Sequence, residues 1–325
     1  MRDKERQEMS AGNVGPPSVP SAYFRVLSQR PSLLIDGAMG TQLFNRGLVP
    51  GDPPEHLNLV NPEIVQTVHT EYLRAGSDII LTNTFGGNSQ RLALHNLEGK
   101  VHEINTAAVQ IAKQAALKFD ALVAGSIGPL GQLLAPLGPI SADAALEAFC
   151  EQIIGLTTGS HSQRAYNSVD LLWIETMSSL DEATIAIKAS CQLTELPVAV
   201  TMSFDTNRHT MMGVSPATAA TALLDAGASA VGLNCGNSLD DNEAAIAEMR
   251  QAAPDVTLIA KPNAGIPQWR GAELAYSGTP TLMAEFACRF QQLGVRLIGG
   301  CCGTTPDHIS AMRSALSVSG QRSST

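Results

Sequence analysis

The sequence predicts a single-domain α/β protein, a (β/α)₈ TIM barrel, on two observations and one absence. Eight short apolar runs recur at fairly even spacing, and a helical pattern follows each of them. The runner-up is an open doubly wound sheet, and the lack of a GxGxxG turn after the first run weakens its dinucleotide-binding form. The runs are Leu33–Ala38, Asp78–Phe85, Ala121–Gly128, Leu171–Thr176, Pro197–Phe204, Ala230–Cys235, Thr257–Ala264 and Val295–Cys302. Each is nearly continuous rather than alternating, as a strand buried on both faces must be. The helical patterns are Pro62–Ala75, Val101–Ala116, Ala142–Gly155, Leu180–Ser190, Pro216–Ala226, Asp240–Ala252, Pro280–Leu293 and Pro306–Leu316. Four begin with a capping residue and a first-turn proline: Asn61-Pro62, Ser215-Pro216, Thr279-Pro280 and Thr305-Pro306. Three end at glycine, at Gly76, Gly227 and Gly294.

Within 325 residues the barrel is expected over 23–317. Residues 1–22 are polar, carry Gly and Pro, lack an apolar signal core and read as a disordered arm; 318–325 read as a flexible tail. The polar stretch Thr157–Ser168 is long for a link between helix and strand, and reads as a helix extension or a surface loop away from the chemistry. A net charge of −9 argues against nucleic acid or an anionic membrane as the main partner. No apolar run reaches the roughly 18 residues of a membrane span. A soluble, cytoplasmic protein is the expectation.

A barrel carries its reactive groups at the carboxyl ends of its strands. Those ends are Asp36-Gly37, Thr82-Asn83-Thr84-Phe85-Gly86-Gly87, Ser126-Ile127-Gly128-Pro129 and Glu175-Thr176. The other four are Ser203-Phe204-Asp205, Asn234-Cys235-Gly236, Lys261-Pro262-Asn263-Ala264-Gly265 and Gly299-Gly300-Cys301-Cys302-Gly303-Thr304. Of the six cysteines, Cys150, Cys191 and Cys288 sit in helical patterns and read as core. Without a secretion signal the set does not read as a disulfide framework. Cys235, Cys301 and Cys302 converge on one face from the sixth and eighth strands. Three thiolates suit zinc, and three protein ligands leave a coordination position open, the catalytic pattern. A metal in that position lowers the pKa of a substrate thiol. Glu175 and Asp36 are acidic groups suited to an ammonium, and backbone amides around Asp36-Gly37-Ala38 suit a carboxylate. Asn83 and Asn234 join Asp36, Gly37 and Glu175 as substrate-binding candidates.

These residues resemble the homocysteine S-methyltransferase family. The matching motifs are Leu-Leu-Ile-Asp-Gly-Ala-Met-Gly-Thr, Ile-Leu-Thr-Asn-Thr-Phe-Gly-Gly, Gly-Ser-Ile-Gly-Pro, Trp-Ile-Glu-Thr, Leu-Asn-Cys-Gly, Lys-Pro-Asn-Ala-Gly and Ile-Gly-Gly-Cys-Cys-Gly-Thr-Thr-Pro, from about Leu33 to Leu316. The resemblance implies a (β/α)₈ barrel, zinc on Cys235, Cys301 and Cys302, and homocysteine contacts at Asp36-Gly37 and Glu175. It implies that Asn263 approaches the metal when substrate is absent, as a labile ligand. It also implies assembly of copies into homo-oligomers, as members of the family often form.

Within the family the chain looks most like stand-alone bacterial enzymes described as betaine–homocysteine methyltransferases, on Phe204-Asp205 with Thr210–Gly213 and on Gly265-Ile266-Pro267 through Pro280. It also resembles the homocysteine-binding module of cobalamin-dependent methionine synthase. Betaine is therefore the expected donor, and homocysteine the expected acceptor. A quaternary ammonium is usually caged by aromatic faces, and the aromatic candidates here are Phe85, Phe204, Trp269 and Tyr276. The alternatives are transfer from S-methylmethionine, transfer from a corrinoid protein partner, or a non-catalytic zinc- or thiol-binding barrel.

Overall fold

The computed structural model describes residues 21–158, 168–270 and 273–322. The expected arm therefore lies outside the described residues except for Ser21 and Ala22. Residues 159–167 of the polar link and the last three residues of the chain lie outside them as well.

Eight parallel strands form the barrel: β1 (Leu33–Leu34), β2 (Ile79–Leu81), β3 (Leu122–Ile127), β4 (Leu171–Met177), β5 (Val198–Met202), β6 (Ala230–Cys235), β7 (Leu258–Pro262) and β10 (Val295–Ile298). An antiparallel hairpin, β8 (Pro267–Arg270) and β9 (Glu273–Tyr276), stands between the last two. The sheet order is β1-β10-β7-β6-β5-β4-β3-β2. A parallel bridge from Ile35 to Ile79 closes it. Asp78 N donates to Leu34 O over 2.6 Å and Asp36 N to Ile79 O over 3.0 Å, which completes the ring.

The unbroken apolar runs now have a physical reason. One set of alternate residues, among them Leu33, Ile79, Leu122, Leu171, Trp173, Ala199, Ala230, Ile259 and Leu297, fills the barrel interior. The set between them, among them Leu34, Ile80, Val123, Leu172, Val200, Val231 and Ile298, packs under the surrounding helices. Both faces of every strand are therefore apolar. Each expected run contains a strand, and all but β4 and β6 stop short of their runs' carboxyl ends. After β2 the chain turns because Thr84 N donates to Thr82 O over 2.9 Å and the two hydroxyls pair at 2.6 Å.

The helices Pro62–Ala75 and Val101–Ala116 have the expected bounds. Ser215 and Thr279 cap as expected, by accepting from Thr218 N and Leu282 N. Asn61 makes no side-chain capping bond. The helix from Ala142 reaches Thr157, and the last helix, Pro306–Arg322, runs into the stretch expected as a tail. Several elements are absent from the sequence expectation, among them the short helices Met39–Phe44, Leu57–Val60 and Ser89–Leu92, and two others bear on the barrel's shape. One is the hairpin. The other is the helix Ala22–Gln29, whose Tyr23 and Leu27 join the interior cluster and plug the amino-terminal end of the barrel. Cys191, expected in the core, is exposed, and Cys150 and Cys288 are half-buried. Among the described residues no helix is long and apolar enough to cross a membrane.

Inside the barrel the bulk of Trp173 is offset by small neighbours, Ala199 on β5 and Ser126 on β3. At Gly232 there is no room for a side chain: a Cβ would overlap the carbonyl oxygen of Ile259 on β7. Backbone cannot yield there without opening the β6–β7 ladder. Gly232→Ala is expected to cost on the order of 3 kcal/mol or more, read as a fall in thermal midpoint of several degrees; an unchanged midpoint would contradict this packing.

Candidate active site

The site lies where β4, β6, β7 and β10 end. Three loops are stitched into one by backbone. Cys301 N donates to Pro262 O over 2.7 Å, and Ala264 N to Cys302 O over 2.9 Å. Asn263 completes the seam: its Oδ1 accepts from Cys302 N at 3.1 Å, and its Nδ2 donates to Gly236 O at 3.2 Å. Its side chain thus joins the two cysteine loops. Cys235 holds the left-handed conformation at φ 61°, an uncommon and strained state for a residue with a side chain. Asn242 fixes it by donating to Cys235 O over 2.9 Å.

The three sulfurs of Cys235, Cys301 and Cys302 lie within 4.8 Å of one another. Cys235 and Cys301 are 3.1 Å apart, and Cys301 and Cys302 are 4.0 Å apart. Sulfurs on a tetrahedral zinc at Zn–S of about 2.3 Å are roughly 3.8 Å apart, so these spacings bracket the requirement. The electrostatics agree. Hydrogen bonds from Cys235 and Cys301 pull the Cys302 thiol well below its usual range, while hydrogen bonding to Cys301 and Cys302 pushes the Cys235 thiol far up. The cluster alone therefore carries one negative charge readily and resists more. Three thiolates there require a cation, and a borderline-soft metal such as zinc fits the donor set.

Beside the cysteines the barrel mouth holds two buried carboxylates and one buried ammonium. Asp36 is 1% exposed and both its oxygens are engaged, Oδ2 by Leu81 N at 2.7 Å and Oδ1 by Lys261 Nζ at 3.2 Å. Lys261 Nζ also sits 5.6 Å from the centre of the Trp173 ring. Glu175 accepts from Ser126 Oγ at 2.5 Å. Burial pushes its carboxyl up to about 7, against the lowering effect of Lys261. Burial likewise raises Asp36, again opposed by Lys261. Glu175 is thus the carboxylate with spare acceptor capacity, whereas Asp36 is committed to the protein.

The other expected residues divide. Gly37 lies where a Cβ would come within 2.8 Å of Thr304 O and 2.9 Å of the Tyr72 hydroxyl, so glycine alone lets the first strand's loop reach the cysteine loop. Asn83 is buried and spends its amide on Pro54 O, at 2.7 Å, and Asn58 Oδ1, at 3.1 Å. Asn234 is wholly buried and bonded to protein groups throughout. Phe85 packs over Gly128, and Phe204 belongs to the core while its edge lines an open cavity of about 320 Å³ with Asp205, Asn207, Arg208, Asn237 and Asp241. Tyr276 lies against Gly303, where a Cβ would overlap its ring, beside the cysteine pair. The Trp269 side chain lies outside what the structure describes.

Sequence reasoning placed Lys261 and Ser126 at strand ends but gave neither a role. The signal for Lys261 was present: a lysine inside Leu-Ile-Ala-Lys-Pro must be buried if that run is a barrel strand, and a buried lysine needs an acid.

A family model described as homocysteine S-methyltransferase matches residues 33–316. The methionine synthase of Mycobacterium leprae is 30% identical over 298 residues, which is 86% of this chain and 24% of that protein. That of Mycobacterium tuberculosis is 29% identical over 308 residues, 90% of this chain and 25% of that protein. The chain thus spans about a quarter of the length of these relatives. Among solved structures, the metallated form of the homocysteine methyltransferase MmuM from Escherichia coli aligns with a TM-score of 0.75 at 24% identity, covering 90% of this chain and 99% of that one. Its oxidised form aligns equally, over 91% of this chain and 99% of that one. At that identity the likeness shows the fold.

The Lys261–Asp36 pair generates a stability prediction. Lys261→Met leaves Asp36 buried without its cation and is expected to cost about 3–5 kcal/mol in urea unfolding. Adding Asp36→Asn should recover part of that loss. A single variant as stable as the wild type would remove the pair from the account.

Proposed function

The chain belongs to the homocysteine S-methyltransferase family, and from that premise we propose that it methylates the thiol of homocysteine, giving methionine, at a zinc site made by Cys235, Cys301 and Cys302. The observation that carries this reading is the convergence of three cysteine sulfurs with one under-used buried carboxylate at a single barrel mouth. Zinc, when bound by the three thiolates, would supply the Lewis acidity that keeps a fourth, substrate sulfur ionised at neutral pH.

The chain's own residues do the rest. Glu175 anchors the α-ammonium, with Ser126 fixing its other side. The Gly37 N–H takes the carboxylate, since Asp36 N and Ala38 N, also expected there, are spent on Ile79 O and Thr304 O. Asp36 itself acts through Lys261, holding that ammonium where its field favours the charged form of Glu175. The substrate sulfur then attacks the donor methyl in line; a new S–C bond forms as the donor's own bond to that carbon breaks, and the leaving group keeps the electron pair. Positioning the two partners is the main contribution of the protein.

For the donor, betaine follows from the sequence resemblance, with Tyr276 and Phe85 as aromatic faces. A specific observation favours a second reading. The cavity beyond β5 and β6 is lined by Asp205, Asp241 and Arg208 and one aromatic, Phe204. That lining suits the ammonium and carboxylate of an amino-acid donor such as S-methylmethionine. Because the matched relatives are four times longer, methyl delivery by a corrinoid protein is the third arm of the test. The experiment is methionine formation by the zinc-loaded chain with betaine, S-methylmethionine and methylcobalamin supplied separately. Turnover with any one supports the reading and names the donor; zinc binding with no turnover for any of the three would contradict it.

The pH dependence of homocysteine binding follows from Glu175. Its carboxyl is protonated below about 7, and a neutral carboxyl anchors an ammonium poorly. Wild type should therefore bind homocysteine about tenfold or more tightly than Glu175→Gln at pH 8. The advantage should vanish as pH falls below 6, where the wild-type side chain is itself neutral. Calorimetric titration at both values checks this; a ratio that does not change with pH would contradict the assignment.

A further inference from the structure

Two residues beside the site hold left-handed backbone without being glycine: Thr176 at φ 63° and Cys235 at φ 61°. Thr176 follows Glu175 at the end of β4, and Cys235 ends β6. For a β-branched residue such a conformation is an outlier that surrounding bonds must enforce. One side chain bonds to both, adding to the hold that Asn242 has on the Cys235 carbonyl. Asn234 Oδ1 accepts from Thr176 N at 2.8 Å and from Thr201 Oγ1 at 2.7 Å. Its Nδ2 donates to Thr176 Oγ1 at 2.7 Å, to Cys235 Sγ at 3.2 Å and, more weakly, towards Cys301 Sγ at 3.7 Å. The amide orientation is not arbitrary: the Thr176 N–H can only donate, so Oδ1 must face it and Nδ2 is left for the sulfurs.

A single buried amide thus ties the backbone next to the ammonium anchor to the sulfurs of the metal site. It spans three adjacent strands, β4, β5 and β6, and reaches the loop after β10. Both acceptor positions of the oxygen are filled and both N–H groups are used, so the amide has no rotation left. Any substrate held at its ammonium by Glu175 and at its sulfur beside Cys235 and Cys301 must fit the distance this amide fixes. Homocysteine and cysteine carry the same head group and thiol. They differ by one methylene, which moves the sulfur by about 1 Å relative to the ammonium.

We propose that Asn234 is a positioning residue that sets the spacing between the ammonium anchor and the cysteine sulfurs, and so selects homocysteine over cysteine. The inference rests on the reading that Glu175 and the three-cysteine site bind the two ends of one substrate. Asn234 touches neither end of the substrate. It acts through Thr176 and the thiolates.

The test is calorimetric binding of homocysteine and of cysteine to the zinc-loaded full chain, with zinc retention measured by chelator competition. Wild type is compared with Asn234→Leu and with Thr201→Val. Thr201 is buried and its hydroxyl bonds the Asn234 oxygen, so the second variant loosens the amide without altering the site lining. The wild-type preference for homocysteine should fall at least about tenfold in Asn234→Leu, the scale on which one methylene is discriminated. It should fall by a smaller factor in Thr201→Val, with zinc retained. If Asn234→Leu does not fold or hold zinc, Thr201→Val decides. Variants that keep zinc and the wild-type ratio overturn the proposal. A zinc-loaded wild type that binds neither thiol overturns instead the reading beneath it.

Discussion

Three cysteine sulfurs held within 4.8 Å of one another cannot all ionise without a cation among them. That constraint organises the barrel mouth. Cys235 comes from β6 and Cys301-Cys302 from the turn after β10, so β7 must stand between them and its loop must join them. Asn263 and the backbone of Pro262 and Ala264 do so. The strained conformation of Cys235 is tolerated because Asn242 and Asn234 over-determine it. Structure at this end of the barrel serves the sulfurs, while the opposite end, plugged by Tyr23 and Leu27, serves stability.

The second organising element is charge placed inside an apolar ring. Lys261 is 3% exposed and faces Asp36, the Trp173 ring and the field of Glu175. A lone ammonium there would be prohibitively costly, and so would either carboxylate. Together they leave Glu175 poised: raised by burial, restrained by the lysine, and ready to gain a positive partner. Pairs of acids driven to different roles by their surroundings are a common mark of active sites. Here one acid is saturated by the protein and the other keeps room for a ligand.

The barrel was legible in the sequence because strands buried on both faces must be unbroken apolar runs, and all eight runs contain a strand. The cysteine cluster was legible because barrel topology places the ends of β6 and β10 one strand apart, so Cys235 and Cys301-Cys302 had to meet. What escaped had no periodic signal. The hairpin β8–β9 is an insertion whose partners lie within itself, and the helix Ala22–Gln29 is too short to announce itself by pattern. The roles of Asn83 and Asn234 escaped for another reason. A polar residue at a strand end reads the same whether its amide faces substrate or neighbouring backbone, and only the hydrogen-bond partners tell them apart. Asp36 is the same case: position marked it as functional, and geometry shows its carboxylate bound to Leu81 and Lys261.

The central claim is that Cys235, Cys301 and Cys302 jointly hold one metal ion. It is tested most directly by equilibrium dialysis of the full chain against zinc, with circular dichroism to verify folding, for wild type and Cys301→Ser. The account predicts one zinc per wild-type chain and loss of tight binding in a folded Cys301→Ser variant. A folded variant that still retains one zinc as tightly as wild type would contradict it.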